Sequence, residues 1–444
     1  MRYVLNYQAV RGINMYNLFG IPYCREGFLM TGEKPFFTEK HACYSDLAVF
    51  NQFAERLSYL SSLGESVTPT ALYMPVCDLW AEQNIAQCAR AYEKAGDDLE
   101  DARIPFDIID DDVLEKADPT AMTRGQIVMG KACYTSVVIP PCKYMPDKTK
   151  DALCRFIAGG GQVFVIAGDV MPELPGSKTV ENAKSILTSP LKISGETEKL
   201  RLAVRRAENG RLYLLFNEED KEQIFSVYIV EEVYILKPES GKIICPHRDG
   251  DALMFTLKSG EMVFLWQGGV PVSEEEHTYT EETVLDGVYT FRRSRRFVIG
   301  DMQFISEEIR EEEKRIELGD WAEVVGRDFS GSGIYKTRFS VPEKKSRLQI
   351  DLGQVHETCE AFLNGKSLGV RVMSPYTYEI SADMLQPDNT LEIRVSNTSA
   401  NEYVYTKSFD KWKDWQLSPY HSIEQVFHED SLSGGLYGPV KICY

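Results

Sequence analysis

Apolar and polar positions alternate in period two along Leu348–Leu352, Thr358–Leu363 and Leu391–Val395, the pattern of strands with one buried face. Asn364-Gly365 and Pro387-Asp388-Asn389 punctuate these runs, and such residues accept turn backbone at low cost. Short alternating runs joined by tight turns predict a β-sandwich. Upstream the period changes. Leu47, Phe50, Phe53, Ala54, Leu57 and Leu60 recur at helical spacing between Tyr44 and Leu63, and Gly64 follows as a stop. Strands are then expected at Ala71–Val76, Phe106–Ile109, Ser136–Ile139 and Gln162–Ala167, with helices at Asn84–Ala95 and Asp147–Ala158. Strands alternating with helices imply a parallel sheet with right-handed crossovers.

This α/β stretch, about Val67–Leu191, is read as flavodoxin-like or amidotransferase-like. Six short strands follow: Leu200–Val204, Leu212–Asn217, Ile224–Val230, Val233–Leu236, Leu253–Leu257 and Met262–Trp266. Turn pairs such as Asn209-Gly210 and Ser259-Gly260 separate them. They predict a small all-β domain. A polar, acidic linker follows, and then the terminal sandwich. At the other end, Tyr3–Val10 suits an amphipathic helix and Gly12–Leu18 a short buried strand. The expected fold class is multidomain α/β plus all-β: a flavodoxin- or amidotransferase-like domain, a small β-sandwich and a terminal jelly roll. The expected boundaries are 1–40 for the end of a barrel and 41–199 for a linker helix with the α/β domain. They continue as 200–268 for the small sandwich, 269–287 for a linker and 288–444 for the jelly roll.

The 444 residues suffice for about three domains. A net charge of −18 disfavours nucleic acid and anionic membrane, which need a basic face, and leaves a neutral glycan open. Arg292, Arg293, Arg295 and Arg296 cluster, but the acidic run Glu307–Glu313 follows directly, so the two are expected to pair across neighbouring strands. Ten cysteines without a Cys-x-x-Cys pair read as reduced core residues in a cytoplasm. The amino terminus lacks the apolar region of a secretory signal, and no apolar run approaches membrane-spanning length.

Candidate chemistry is sparse. Gly159-Gly160-Gly161 precedes a strand instead of opening a helix, so it reads as a helix stop and not a phosphate cradle. Cys142 follows a strand, as an amidotransferase nucleophile would, but its neighbours Pro140, Pro141 and Lys143 do not make a nucleophile elbow. Asp110, Asp111 and Asp112 are read as a solvated strand end, with cation binding the alternative. The six His show no zinc-ligand spacing. No cofactor, metal or catalytic residue is expected.

The stretches DLGQV, AFLNGKSLG, SPYTYEIS and NTLEIRVSN resemble the sugar-binding jelly roll of glycoside hydrolase family 2. FSGSGIYKTRF and SGGLYGPV fit the same module. RGIN with LFG resembles the last βα unit of the catalytic barrel in family 106, the α-L-rhamnosidase type. Phe19 stands where that family carries a His. YSDLAVFNQFAERLSYLSSLG looks like the helix after that barrel, and VRRAENGRLYLLFN with YILKPESGKI resembles the small sandwich of the same proteins. The resemblance implies the carboxyl-terminal, non-catalytic part of a rhamnosidase-like hydrolase. It also implies a carbohydrate ligand and a separate catalytic barrel, as a domain or a chain, for a partner. The alternative is a stand-alone carbohydrate-binding or assembly protein. Sugar sites pair aromatic platforms with amides and carboxylates. Segment Asn401–Tyr420 offers Tyr405, Trp412 and Trp415 beside Asn401 and Asp414. These five are the candidate carbohydrate contacts, and packing of the two Trp onto the sandwich or onto a separate barrel is the competing role.

Overall fold

The structure, a computed structural model, describes residues 1–17, 39–81, 85–186, 188–248, 250–270, 273–275, 279–300, 303–341, 347–407 and 432–444. The chain divides into two compact units: Met1–Tyr16 with Ala54–Glu276, and Asn17–Phe53 with His277–Tyr444.

The first unit holds a five-stranded sheet ordered Phe106–Ile109, Thr70–Tyr73, Ser136–Ile139, Gln162–Ile166, Lys178–Val180. All of its pairings are parallel. Thr70–Tyr73 and Ser136–Ile139 are buried at every position, as strands covered on both faces must be. Helix Asp147–Ala158 lays Ala152, Leu153 and Phe156 on one face of the sheet. Leu99 and Ile104 pack with Leu72 and Val138 on the other.

Gly159-Gly160-Gly161 ends that helix, with Gly160 at φ +97°. The triplet also gives clearance: a Cβ on Gly159 would stand 2.1 Å from the Met122 carbonyl oxygen. The same need operates at Gly64, at φ +60°, which follows helix Leu47–Ser62. There a Cβ would lie 2.1 Å from the Arg206 carbonyl oxygen.

Two expectations are corrected here. Asp110, Asp111 and Asp112 do follow strand Phe106–Ile109, with Asp112 exposed, but they also open a helix. Asp110 caps helix Asp111–Lys116 by accepting from Val113 N at 3.0 Å. Gly12–Asn17 forms no strand. It has no partner strand among the described residues, and Ile13 and Met15 are 48% and 84% exposed. The preceding helix runs Arg2–Val10.

The same unit carries a β-sandwich. One sheet is ordered Glu65–Ser66, Leu200–Ala207, Gly210–Asn217, Met262–Gly268, Val233–Lys237, Lys242–Cys245, Glu274–Glu275. The other is ordered Ala252–Leu257, Gln223–Tyr228, Lys192–Gly195. Leu202, Leu215, Phe225, Val227, Phe255 and Leu265 share the core between them.

In the second unit a seven-stranded sheet runs Gln303–Glu308, Tyr289–Gly300, Ser330–Phe339, Asn389–Ser396, Thr358–Leu363, Lys366–Arg371, with Lys314–Ile316 also pairing Tyr289–Gly300. A four-stranded sheet runs Glu282–Val284, Lys441–Cys443, Arg347–Asp351, Thr377–Ser381. Their shared core is aromatic. Trp321 stacks on Tyr335 at 6.4 Å and 5°, and Phe291 meets Tyr335 at 4.9 Å.

The glycines of this unit make room for those rings. A Cβ on Gly333 would lie 2.2 Å from Phe291, and one on Gly434 2.2 Å from Trp321. Asn364 and Gly365, at φ +51° and +81°, form the two-residue turn between Thr358–Leu363 and Lys366–Arg371. Tyr376 and Tyr378 are both buried. Arg293 pairs with Glu311 at 2.9 Å, and Arg296 stands opposite Glu307 on the neighbouring strand while its guanidinium reaches Asp328 at 2.7 Å.

Candidate functional site

Three places were candidates for chemistry. The first is the predicted sugar segment. Trp412, Trp415 and Asp414 lie outside the described residues. Asn401 and Tyr405 fall on helix Ala400–Tyr405. Asn401 is buried, and its Nδ2 donates to the Arg327 and Leu432 carbonyl oxygens at 2.9 and 2.7 Å. Its Oδ1 accepts from Asn397 Nδ2 at 3.4 Å. The amide therefore fixes three stretches of chain to one another. Tyr405 is 41% exposed. The structure thus sends the Asn401 amide inward and leaves the Tyr405 ring accessible.

The second place is the carboxyl edge of the parallel sheet, where open α/β sheets commonly bind ligands. Asp111 Oδ1 accepts from the Tyr73 and Thr149 hydroxyls, each at 2.7 Å. The buried Asp78 carboxylate accepts from the backbone N–H groups of Lys143 and Tyr144. Asp112 pairs with Lys116 at 2.5 Å. Burial, reinforced by Asp78, pushes the Cys142 thiol up to about 12. Cys142 is thus a neutral core thiol at physiological pH, the opposite of an activated nucleophile. No group of three or more metal-ligating side chains is assembled among the described residues.

The third place comprises two clefts. One, of about 420 Å³, opens at the amino edge of the parallel sheet. The first residues of three strands, Thr70, Ser136 and Gln162, form its floor, and the turn Arg124–Gln126 forms one wall. Arg124 is exposed, and its guanidinium makes no hydrogen bond or ion pair among the described residues; the side-chain amides of Gln126 and Gln162 are likewise unengaged. The second cleft, of about 380 Å³, lies between Tyr59 on helix Leu47–Ser62 and Trp266 on Met262–Gly268. Arg56 spans part of it, donating to the Pro238 carbonyl oxygen at 3.1 Å. Neither cleft is lined by an Asp or a Glu.

Sequence reasoning did not single out Arg124, Gln126 or Gln162. No motif marks them, because they meet only when the turn after residues 119–122 docks against the triple glycine. Gly125 is the contact point: at φ +68°, a Cβ there would lie 2.6 Å from Gly161 N.

No family model matches the chain. A curated protein of Formosa agariphila bearing the name "Putative beta-glucuronidase" is 25% identical over 264 residues. That match covers 53% of this chain and 22% of the relative. The structure of a rhamnosidase from Novosphingobium sp. PP1Y matches 100% of this chain at a TM-score of 0.66 and 17% identity. This chain corresponds to 45% of that rhamnosidase. It therefore spans less than half the length of either protein. The fold, α/β with β-sandwiches, is shared with that part of the rhamnosidase from one end of this chain to the other.

Proposed function

We propose that this chain is the glycan-handling, non-catalytic part of a rhamnosidase-like glycoside hydrolase, working beside a catalytic barrel supplied by another domain or chain. The observation that carries the reading is the whole-chain likeness to less than half of a rhamnosidase.

On this reading the parallel-sheet domain is a flavodoxin-like spacer and the terminal unit a jelly roll of the sugar-binding type. Tyr405, Trp412 and Trp415 provide stacking faces for a saccharide, Asp414 accepts from its hydroxyls, and Asn401 holds the base of the segment. The compartment is reducing. None of the nine described cysteines is in a disulfide, and no described helix is long and apolar enough to cross a membrane.

Calorimetric titration of the chain with plant-type oligosaccharides tests the reading. Binding that Trp412→Ala or Trp415→Ala weakens about tenfold or more, the cost of one lost stacking face, is the expected result. Silence from the unsubstituted chain across the panel counts against it. Release of nitrophenol from an aryl glycoside by this chain alone contradicts the non-catalytic role.

A further inference from the structure

We propose that the cleft at the amino edge of the parallel sheet is a second binding site, for a small acidic sugar of the uronic acid class. It is independent of the terminal jelly roll. Its walls are already fixed without a ligand. Arg124 N and Gln126 N both donate to the Ala121 carbonyl oxygen, at 2.9 and 3.1 Å, and Gln162 N donates to that of Thr135 at 3.0 Å. The Gly125 and Gly159 backbones interlock at distances no Cβ would allow. A preformed cleft binds without first paying for order.

The chemistry of the lining selects the ligand. Arg124 is a cation without an anionic partner among the described residues, in a chain of 67 acidic against 49 basic residues. No carboxyl group lines the cleft to neutralise it. A guanidinium is a planar fork that matches a carboxylate in two parallel hydrogen bonds. Gln126 and Gln162 each offer both donors and an acceptor, the complement of sugar hydroxyls. Pro105 and Pro190 give an apolar side for the C–H face of a ring.

Phosphate fits less well. Phosphate cradles rely on unpaired backbone N–H groups. Here the N–H groups of Arg124, Gly125, Gln126, Gly160, Gly161 and Gln162 are all spent on carbonyl oxygens within the chain. The volume, about 420 Å³, lies in the range of small-ligand sites.

The test is calorimetric or NMR titration of the full chain with sodium D-glucuronate and sodium D-galacturonate, with D-glucose, D-galactose and inorganic phosphate for comparison. One or both uronates are expected to bind, with an affinity that falls as salt rises. Arg124→Gln, on an exposed side chain, should weaken binding about tenfold or more, the scale of one charge-assisted pair. Four results would each overturn the proposal: no uronate binding up to about 10 mM, a range already weaker than ordinary small-ligand recognition; equal binding of the neutral sugars; phosphate binding more tightly than both uronates; or an Arg124→Gln chain that binds as well as its parent.

Discussion

Asp46 Oδ1 lies 2.9 Å from Arg394 Nη2, across 348 positions of sequence. The carboxylate is almost fully buried and also accepts from the Thr358 hydroxyl, while Arg394 reaches Glu360 at 3.1 Å. The link ties the segment before helix Leu47–Ser62 to strands Asn389–Ser396 and Thr358–Leu363. Removing Asp46 leaves the Thr358 hydroxyl without its acceptor and Arg394 with Glu360 as its remaining carboxylate partner. Asp46→Ala is expected to destabilise this unit by about 2–4 kcal/mol, read as a lower urea midpoint. A loss below about 0.5 kcal/mol, the range of an ordinary surface change, would show the contact to be incidental.

Gly159→Ala tests the second role of the triple glycine. As a mere helix stop at φ −79°, the position would tolerate Ala. The structure instead puts the new methyl 2.1 Å from the Met122 carbonyl oxygen, so the turn carrying Arg124 must shift. A loss of about 2–3 kcal/mol is expected, as for overpacked cores, and a neutral or stabilising outcome in urea denaturation contradicts the geometry.

His41 should make the second unit sensitive to acid. Its ring sits edge-on to Phe297 at 5.0 Å and Phe304 at 6.2 Å, and Nε2 has no hydrogen-bond partner among the described residues. Burial lowers its pKa from 6.5 to about 4. Between those values the unfolded chain holds the proton and the folded one does not, so stability is full above pH 6.5 and is lost as pH falls toward 4. The loss amounts to at most about 3 kcal/mol. Melting temperature against pH should show it, and His41→Phe should flatten that part of the profile. An unchanged slope in the variant would assign the acid sensitivity elsewhere.

Thiol labelling distinguishes core cysteines from a nucleophile. Cys133 and Cys245 are exposed, while Cys142 and Cys359 are buried with thiols pushed up to about 12. At pH 8 a disulfide reagent should modify the first pair in the folded chain and reach the second pair only in denaturant. Rapid native labelling of Cys142 would revive the amidotransferase reading.

Much of the fold could be read from local pattern. Phe106–Ile109, Ser136–Ile139 and Asp147–Ala158 emerge with the bounds that periodicity predicts; Ser136–Ile139 is a fully buried, mainly apolar run, and Asp147–Ala158 repeats its buried positions at helical spacing and ends at the triple glycine. What failed had no such signal. Helix Asp111–Lys116 opens on three acidic residues that look like loop, yet Asp110 serves as its cap. The hairpin Ile127–Met129 with Ala132–Tyr134 is three residues a side, too short for alternation to register. Of the candidate sugar contacts, Asn401 could not be told from an exposed amide, because its partners Arg327 and Leu432 lie 74 and 31 positions away. The amino-edge cleft was invisible for the same reason: Arg124 and Gln162 are neighbours only once the glycine backbones have met.

The most direct measurement incubates the chain with plant-type oligosaccharides carrying terminal rhamnose. It then follows, by size-resolved chromatography, both how much ligand the protein retains and how long the recovered ligand is. Retention with unaltered length is the predicted result. Shortened ligand, or liberated rhamnose, would mean that these residues carry the hydrolytic chemistry themselves.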